Sequence, residues 1–164
     1  METTPSAVSQ PFAGFWKRVL AYLIDALLLG VVQSLLAIPI LAIAIATSNN
    51  PPEDPEDSTM IAALLVGMAF FVIAVSIVVD WLYHALMESS TRQATLGKMA
   101  LGIVVVDMQG ARISFGRATG RHFAKLISSF IIGIGFIMAG FTQQKQALHD
   151  ILAQCLVMNR RWHG

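Results

Sequence analysis

Apolar positions in this chain come in long unbroken runs. They show neither the alternation of a half-buried strand nor the one-sided periodicity of a soluble helix. From Val19 to Ala46 there are 28 residues whose only charge is Asp25, and Met60 to Val79 adds 20 with no charge at all. A helix rises about 1.5 Å per residue and a hydrocarbon core is about 30 Å thick, so each run is long enough to span a bilayer. The first run would reach about 42 Å as a helix, which predicts a tilt, a kink near Pro39 or a start in the interface. It also far exceeds the roughly 7 to 15 apolar residues of a cleaved signal core, despite Lys17 and Arg18 just ahead of it.

What separates the runs is equally plain. Asn49 to Thr59 contains Pro51, Pro52 and Pro55 with four acids and no base, which predicts an exposed loop and, with its flanks, a hairpin of two transmembrane helices. The second run ends at Asp80, Trp81 and Tyr83, where aromatic rings favour the interface. A third apolar segment, Leu126 to Phe141, has only 16 residues and is interrupted by Ser128, Ser129, Gly133, Gly135 and Gly140. It either spans or re-enters, and the re-entrant arrangement is preferred because it leaves every Lys and Arg on one side.

Between these runs, Ile103–Val106 followed by Asp107-Met108-Gln109-Gly110 and Arg112-Ile113 predicts a small cytoplasmic β-hairpin. A tail strand around Cys155 to Met158 could pair with Ile103 to Val106 if the third segment does not span. Residues 1–13, polar and rich in Ser, Thr and Pro over most of their length, are expected to be a disordered cytoplasmic tail ahead of a membrane domain at 14–164. The fold class is therefore an all-α membrane protein with this small β element.

Composition sharpens the picture. With 55% hydrophobic and 13% charged residues the chain is far from the soluble balance, and a net charge of +1 leaves no basic surface to neutralise a nucleic acid. Arg92, Lys98, Arg112, Arg117, Arg121 and Lys125 outnumber the acids between Asp80 and Lys125, while the first loop has no base. The positive-inside rule then puts the N-terminus and the middle region in the cytoplasm. Cys155 is the only cysteine, which excludes an intrachain disulfide or a CxxC clamp.

Candidate chemistry lies within the helices. Arg18, Tyr22, Asp25 and Gln33 fall within an arc of roughly 80° at about 100° per residue, one polar stripe on the first helix. An ionised Asp at a span's centre costs about 2.5 to 3.5 kcal/mol, so Asp25 needs a partner. Arg18 lies two turns away, and a group from another element serves equally well. The second helix carries Ser76, Asp80, Tyr83, His84 and Met87 at helical spacing. His149-Asp150 reads as a proton-handling or cation-binding pair, or as a cap or interface element; adjacent side chains diverge by about 100° on a helix, and no second His follows at i+4, which favours the latter. Thr95-Leu96-Gly97-Lys98 lacks the upstream Gly of a phosphate loop, and Lys98 suits an anionic lipid or a core carboxylate. No GxSxG or metal spacing is present, so neither a catalytic centre nor a metal or cofactor is expected.

These parts together resemble the RDD family of bacterial membrane proteins. The likeness rests on Arg18, Asp25, Thr95-Leu96-Gly97-Lys98, Val104-Val105-Val106-Asp107 with Gly110, Arg121, and Gln146-Ala147-Leu148-His149-Asp150, in that order. It implies a multi-pass domain of the bacterial inner membrane with Arg18, Asp25 and Asp150 as the named motif residues, and a suspected role in transport. Two or three spans enclose no pathway, so transport implies a homo-oligomer, with exchange of a monovalent cation for protons at Asp25. The alternative is a non-catalytic scaffold or assembly factor that binds lipid or a partner protein.

Overall fold

A computed structural model describes residues 12–130 and 134–160; the expected tail falls largely outside them. The order is α1 (Phe15–Asn49), α2 (Pro55–Glu88), α3 (Leu96–Ala100), β1 (Ile103–Asp107), α4 (Phe115–Phe130), α5 (Ile134–Phe141), α6 (Leu148–Leu152) and β2 (Cys155–Asn159). By packing, the chain divides into a compact unit, Met1–Asp25 with Tyr83–Gly164, and a second unit, Ala26–Leu82.

The second unit holds most of both apolar runs. In the most apolar 18-residue window of α1 and of α2 no residue is buried, the reverse of a soluble core helix, so these side chains suit lipid. α1 continues through Pro39 without a break. The acidic loop is shorter than expected, since α2 begins at Pro55 within the segment read as loop. A proline at the first helical position loses no helix hydrogen bond, and Glu56 and Asp57 complement the positive end of the helix dipole.

In the compact unit, β1 and β2 form a two-stranded antiparallel sheet, with Ile103 opposite Asn159 and Asp107 opposite Cys155. The tail strand is therefore the partner of β1. The expected hairpin is corrected: only an isolated bridge joins Val106 to Arg112. Its turn does form, with Asp107 Oδ1 accepting from the backbone N–H of Gln109 and Ala111 at 2.9 and 2.8 Å, and Gly110 at φ +81°. The second limb is cut short because α4 starts at Phe115, where Ser114 accepts from the Arg117 N–H at its first turn.

Both faces of β1 are covered. Val104 and Val106 join Ala94 and Leu156 in a core against which Phe12, Met99 and Met158 pack. Phe12 bridges Met158, and the Ala13 N–H donates to the Val157 carbonyl at 2.8 Å. Phe12 and Ala13, read from the sequence as the end of the tail, thus pair with β2.

Candidate functional site

The compact unit contains two polar centres built around the three charged residues singled out in the sequence. Asp25, only 2% exposed, takes three donors. Tyr83 Oη donates to its Oδ1 at 2.7 Å, Thr95 Oγ1 to Oδ2 at 2.6 Å, and the Gly97 N–H to Oδ1 at 2.7 Å. Tyr83 Oη in turn accepts from the Leu96 N–H at 3.0 Å. Asp25 therefore serves the start of α3 as a capping side chain supplied by α1, satisfying an amide that a helix start leaves without an intrahelical partner. Gly97 makes this approach possible: a Cβ there would sit 2.1 Å from the Ala21 carbonyl oxygen, so any side chain pushes α3 off α1.

The second centre is a series of buried ion pairs. Arg18 donates to Asp150 Oδ2 and, through Nε, to the Ala13 carbonyl at 3.1 Å. Arg121 joins both acids: its Nε and Nη2 meet Asp150 Oδ1 at 2.8 and 2.7 Å, and its Nη1 meets both Glu88 oxygens at 2.8 and 2.7 Å. Glu88 also pairs with Lys98. Three cations and two carboxylates thus alternate as Arg18, Asp150, Arg121, Glu88 and Lys98. Asp150 Oδ2 further accepts from the Ala147 N–H at 3.1 Å, at the start of α6.

Burial and neighbours set the charge states. Burial works against the Asp150 carboxylate, but Arg121 and Arg18 hold it well below the usual carboxylate range. Burial also opposes charge on Arg121, and Glu88 and Asp150 more than restore it. Lys98 falls to about 8, lowered chiefly by burial and supported by Glu88. His149 is pushed down to about 3 by burial, so it is neutral near pH 7 and rests its Nδ1 3.4 Å from Ser128 Oγ. Burial lifts the Cys155 thiol to about 11, which leaves it unreactive.

The sequence reading is met unevenly. Arg18 and Asp25 do not pair with each other, and each finds its partner in another element. The stripe residues on α1 differ in their surroundings: Tyr22 is 61% exposed while Asp25 is buried, and Gln33 belongs to the Ala26–Leu82 unit, as does half-buried Asp80 of α2. Lys98, Arg121 and Asp150 join one ion-pair series, and His149 lies against its Asp150 end at 3.5 Å. His84 is buried beside Tyr83 in an edge-on ring contact. Glu88 was missed. Its signal was the row Asp80, His84, Glu88 at successive i, i+4 positions on α2, together with the need of Lys98 and Arg121 for an acid.

Chemically, the arrangement fixes charge rather than displaying it. Every carboxylate oxygen of Asp25, Glu88 and Asp150 already accepts at least one hydrogen bond or ion pair.

The RDD family model matches residues 12–154. The uncharacterized protein YxaI of Bacillus subtilis is 38% identical over 148 residues, covering 89% of this chain and 96% of its own. The uncharacterized membrane protein YteJ of the same bacterium is 29% identical over 160 residues, covering 94% and 85%. No solved structure matches the chain significantly. The chain belongs to the RDD family.

Proposed function

From its place among the RDD family membrane proteins, we propose that this chain is a non-catalytic membrane module, an anchor of two helices whose ion-paired domain holds lipid or a partner protein at the bilayer surface. The observation that carries this reading is the occupancy of the three motif side chains. A carboxylate that loads and releases protons or cations needs an open side, and Asp25 is enclosed by Tyr83, Thr95 and the Gly97 amide.

The proposed placement is the cytoplasmic membrane of a bacterium, with the start of α1, the sheet and α4 to α6 on the cytoplasmic side. Its support is the tie of Phe12 and Ala13 to β2, because a single crossing between β1 and β2 would set those strands on opposite sides. As a helix the 16 residues from Leu126 to Phe141 would be about 24 Å long, short of a hydrocarbon core of about 30 Å, which supports a re-entrant or interfacial third segment.

A second reading, exchange of a monovalent cation for protons by a homo-oligomer, draws on the position of Asp25 within an otherwise apolar run. One experiment separates the two: proton movement in sealed proteoliposomes on addition of sodium, potassium or lithium, for wild type and Asp25→Asn at matched reconstitution. The module reading expects no flux above empty vesicles and a less stable variant. Wild-type flux that a well-folded Asp25→Asn protein lacks would establish exchange instead.

A further inference from the structure

Within the compact unit α4 is built inside out. On the surface of a soluble domain a helix turns its apolar stripe to the core and its charges to water. In α4 the buried positions include Ala118, Arg121, Ala124 and Ser128, while Phe115 and Phe123 are 41% and 47% exposed. The cause is the ion-pair series. Glu88 and Asp150 lie inside, so Arg121 turns inward to reach them, and Arg117 turns to Asp107. With the cations drawn in, the outer face carries Gly116, Gly120 and Phe123, which at about 100° per residue fall within an arc of roughly 60°. Among the described residues, a Cβ added at Gly116 or Gly120 would meet nothing within 4 Å. The next helix, α5, exposes Ile137 and Phe141 at i, i+4 spacing.

We propose that the outer face of α4 lies in the bilayer interface, with Phe123 at the boundary of headgroups and acyl chains. This rests on the reading of the chain as a two-helix membrane module and names the surface that its folded part occupies. A helix with aromatic residues on one face and basic residues on the other has the composition of one that lies in the interface plane.

Charge selects lipid over a second copy of the chain. Among the described residues of the compact unit, Asp25, Glu88 and Asp150 are buried. Asp107 is half-buried, with Arg117 3.6 Å away and two backbone amides on its Oδ1. The exposed charges are Lys17, Arg92, Arg112 and Arg160, all positive. Such a surface is attracted to an anionic leaflet and repelled by its own copy. The first turns of α1 belong to the same unit and expose Trp16, Leu20 and Leu23, side chains that suit the interface and the acyl chains.

The test uses full-length protein in nanodiscs of phosphatidylglycerol and phosphatidylethanolamine, with a nitroxide on a single cysteine in a Cys155→Ser background. Gly116→Cys and Gly120→Cys place the label on α4. Leu35→Cys, at a position 67% exposed in the apolar run of α1, is the lipid reference, and Glu53→Cys in the acidic loop is the water reference. Power saturation reads collisions with oxygen, which concentrates among acyl chains, and with a water-soluble nickel chelate. Each labelled protein is checked by size-exclusion profile and circular dichroism. The expected result is an oxygen-to-nickel ratio at both α4 positions several-fold above that in the acidic loop, as for a face lying about 5–10 Å into the boundary. A ratio equal to that of the loop puts the face in water and overturns the proposal. Shielding from both reagents overturns it too, since protein, a second copy or a bound partner, then covers the face. A low ratio at Leu35→Cys would remove the spans themselves, and the module reading with them.

Discussion

Gly97 shows how little freedom the Asp25 centre has. The atom that a Cβ would strike is the backbone oxygen of Ala21, which cannot swing away as a side chain can. Gly97→Ala should therefore cost about 1–3 kcal/mol or more, the usual range for overpacking, and lower the thermal unfolding midpoint in detergent. An unchanged midpoint would mean that α3 slides along α1 at no cost. His149 gives a pH test. Its folded value of about 3 lies below the ordinary 6.5, so between these values the unfolded chain binds the proton and the folded chain does not. Stability should fall as the pH drops through that window, and Asp150 adds loss in the same direction below its ordinary 3.8. A series of unfolding curves from pH 7 to pH 4 should slope less steeply for His149→Gln than for wild type.

At the scale of elements, β2 completes the compact unit. It supplies Leu156 to the core, faces β1 in full register and holds Phe12 and Ala13. A chain ending at Gln154 should still insert α1 and α2, whose lipid-facing runs are unaffected, yet the rest should become sensitive to limited proteolysis. Cys155 reports the same event in the intact chain, since a buried thiol lifted to about 11 should react with maleimide only after unfolding. The elements were readable to different depths. The spans announce themselves because lipid demands long apolar runs. The pairing of β1 with the tail strand was visible as two short apolar segments of matching length. The hairpin reading failed because the turn chemistry at Asp107 and Gly110 is real, while the limb after it is two residues from a helix start. Arg18, Asp25 and Asp150 stood out as charges in surroundings that require pairing. Their partners did not, because Arg18 and Asp150 are 132 positions apart and such a pair leaves no periodic trace.

For the whole molecule, the proposed topology makes one firm prediction. Reporter domains fused before Met1 and after Gly164 should both signal the cytoplasm, and one placed between Asn50 and Asp54 should signal the other side. A reporter after Gly164 on the outer side would require an odd number of crossings and would be incompatible with the bonds that Phe12 and Ala13 make to β2. Glu88 explains why the site as a whole was less legible than its parts. It follows the apolar run and precedes Ser89 and Ser90, so it reads as a solvated helix end until Arg121 is seen to bridge it to Asp150.

The tie between Phe12 and β2 also sets an order of events at the ribosome. Both long helices leave the exit tunnel early and can enter the bilayer as they emerge, but the segment ahead of α1 has no sheet to join until Cys155–Asn159 has been translated. Until then Arg18 and Arg121 await Asp150, and the nascent chain carries uncompensated charge beside the membrane. Prematurely terminated products are thus inserted but unfinished, and open to the proteases of membrane quality control.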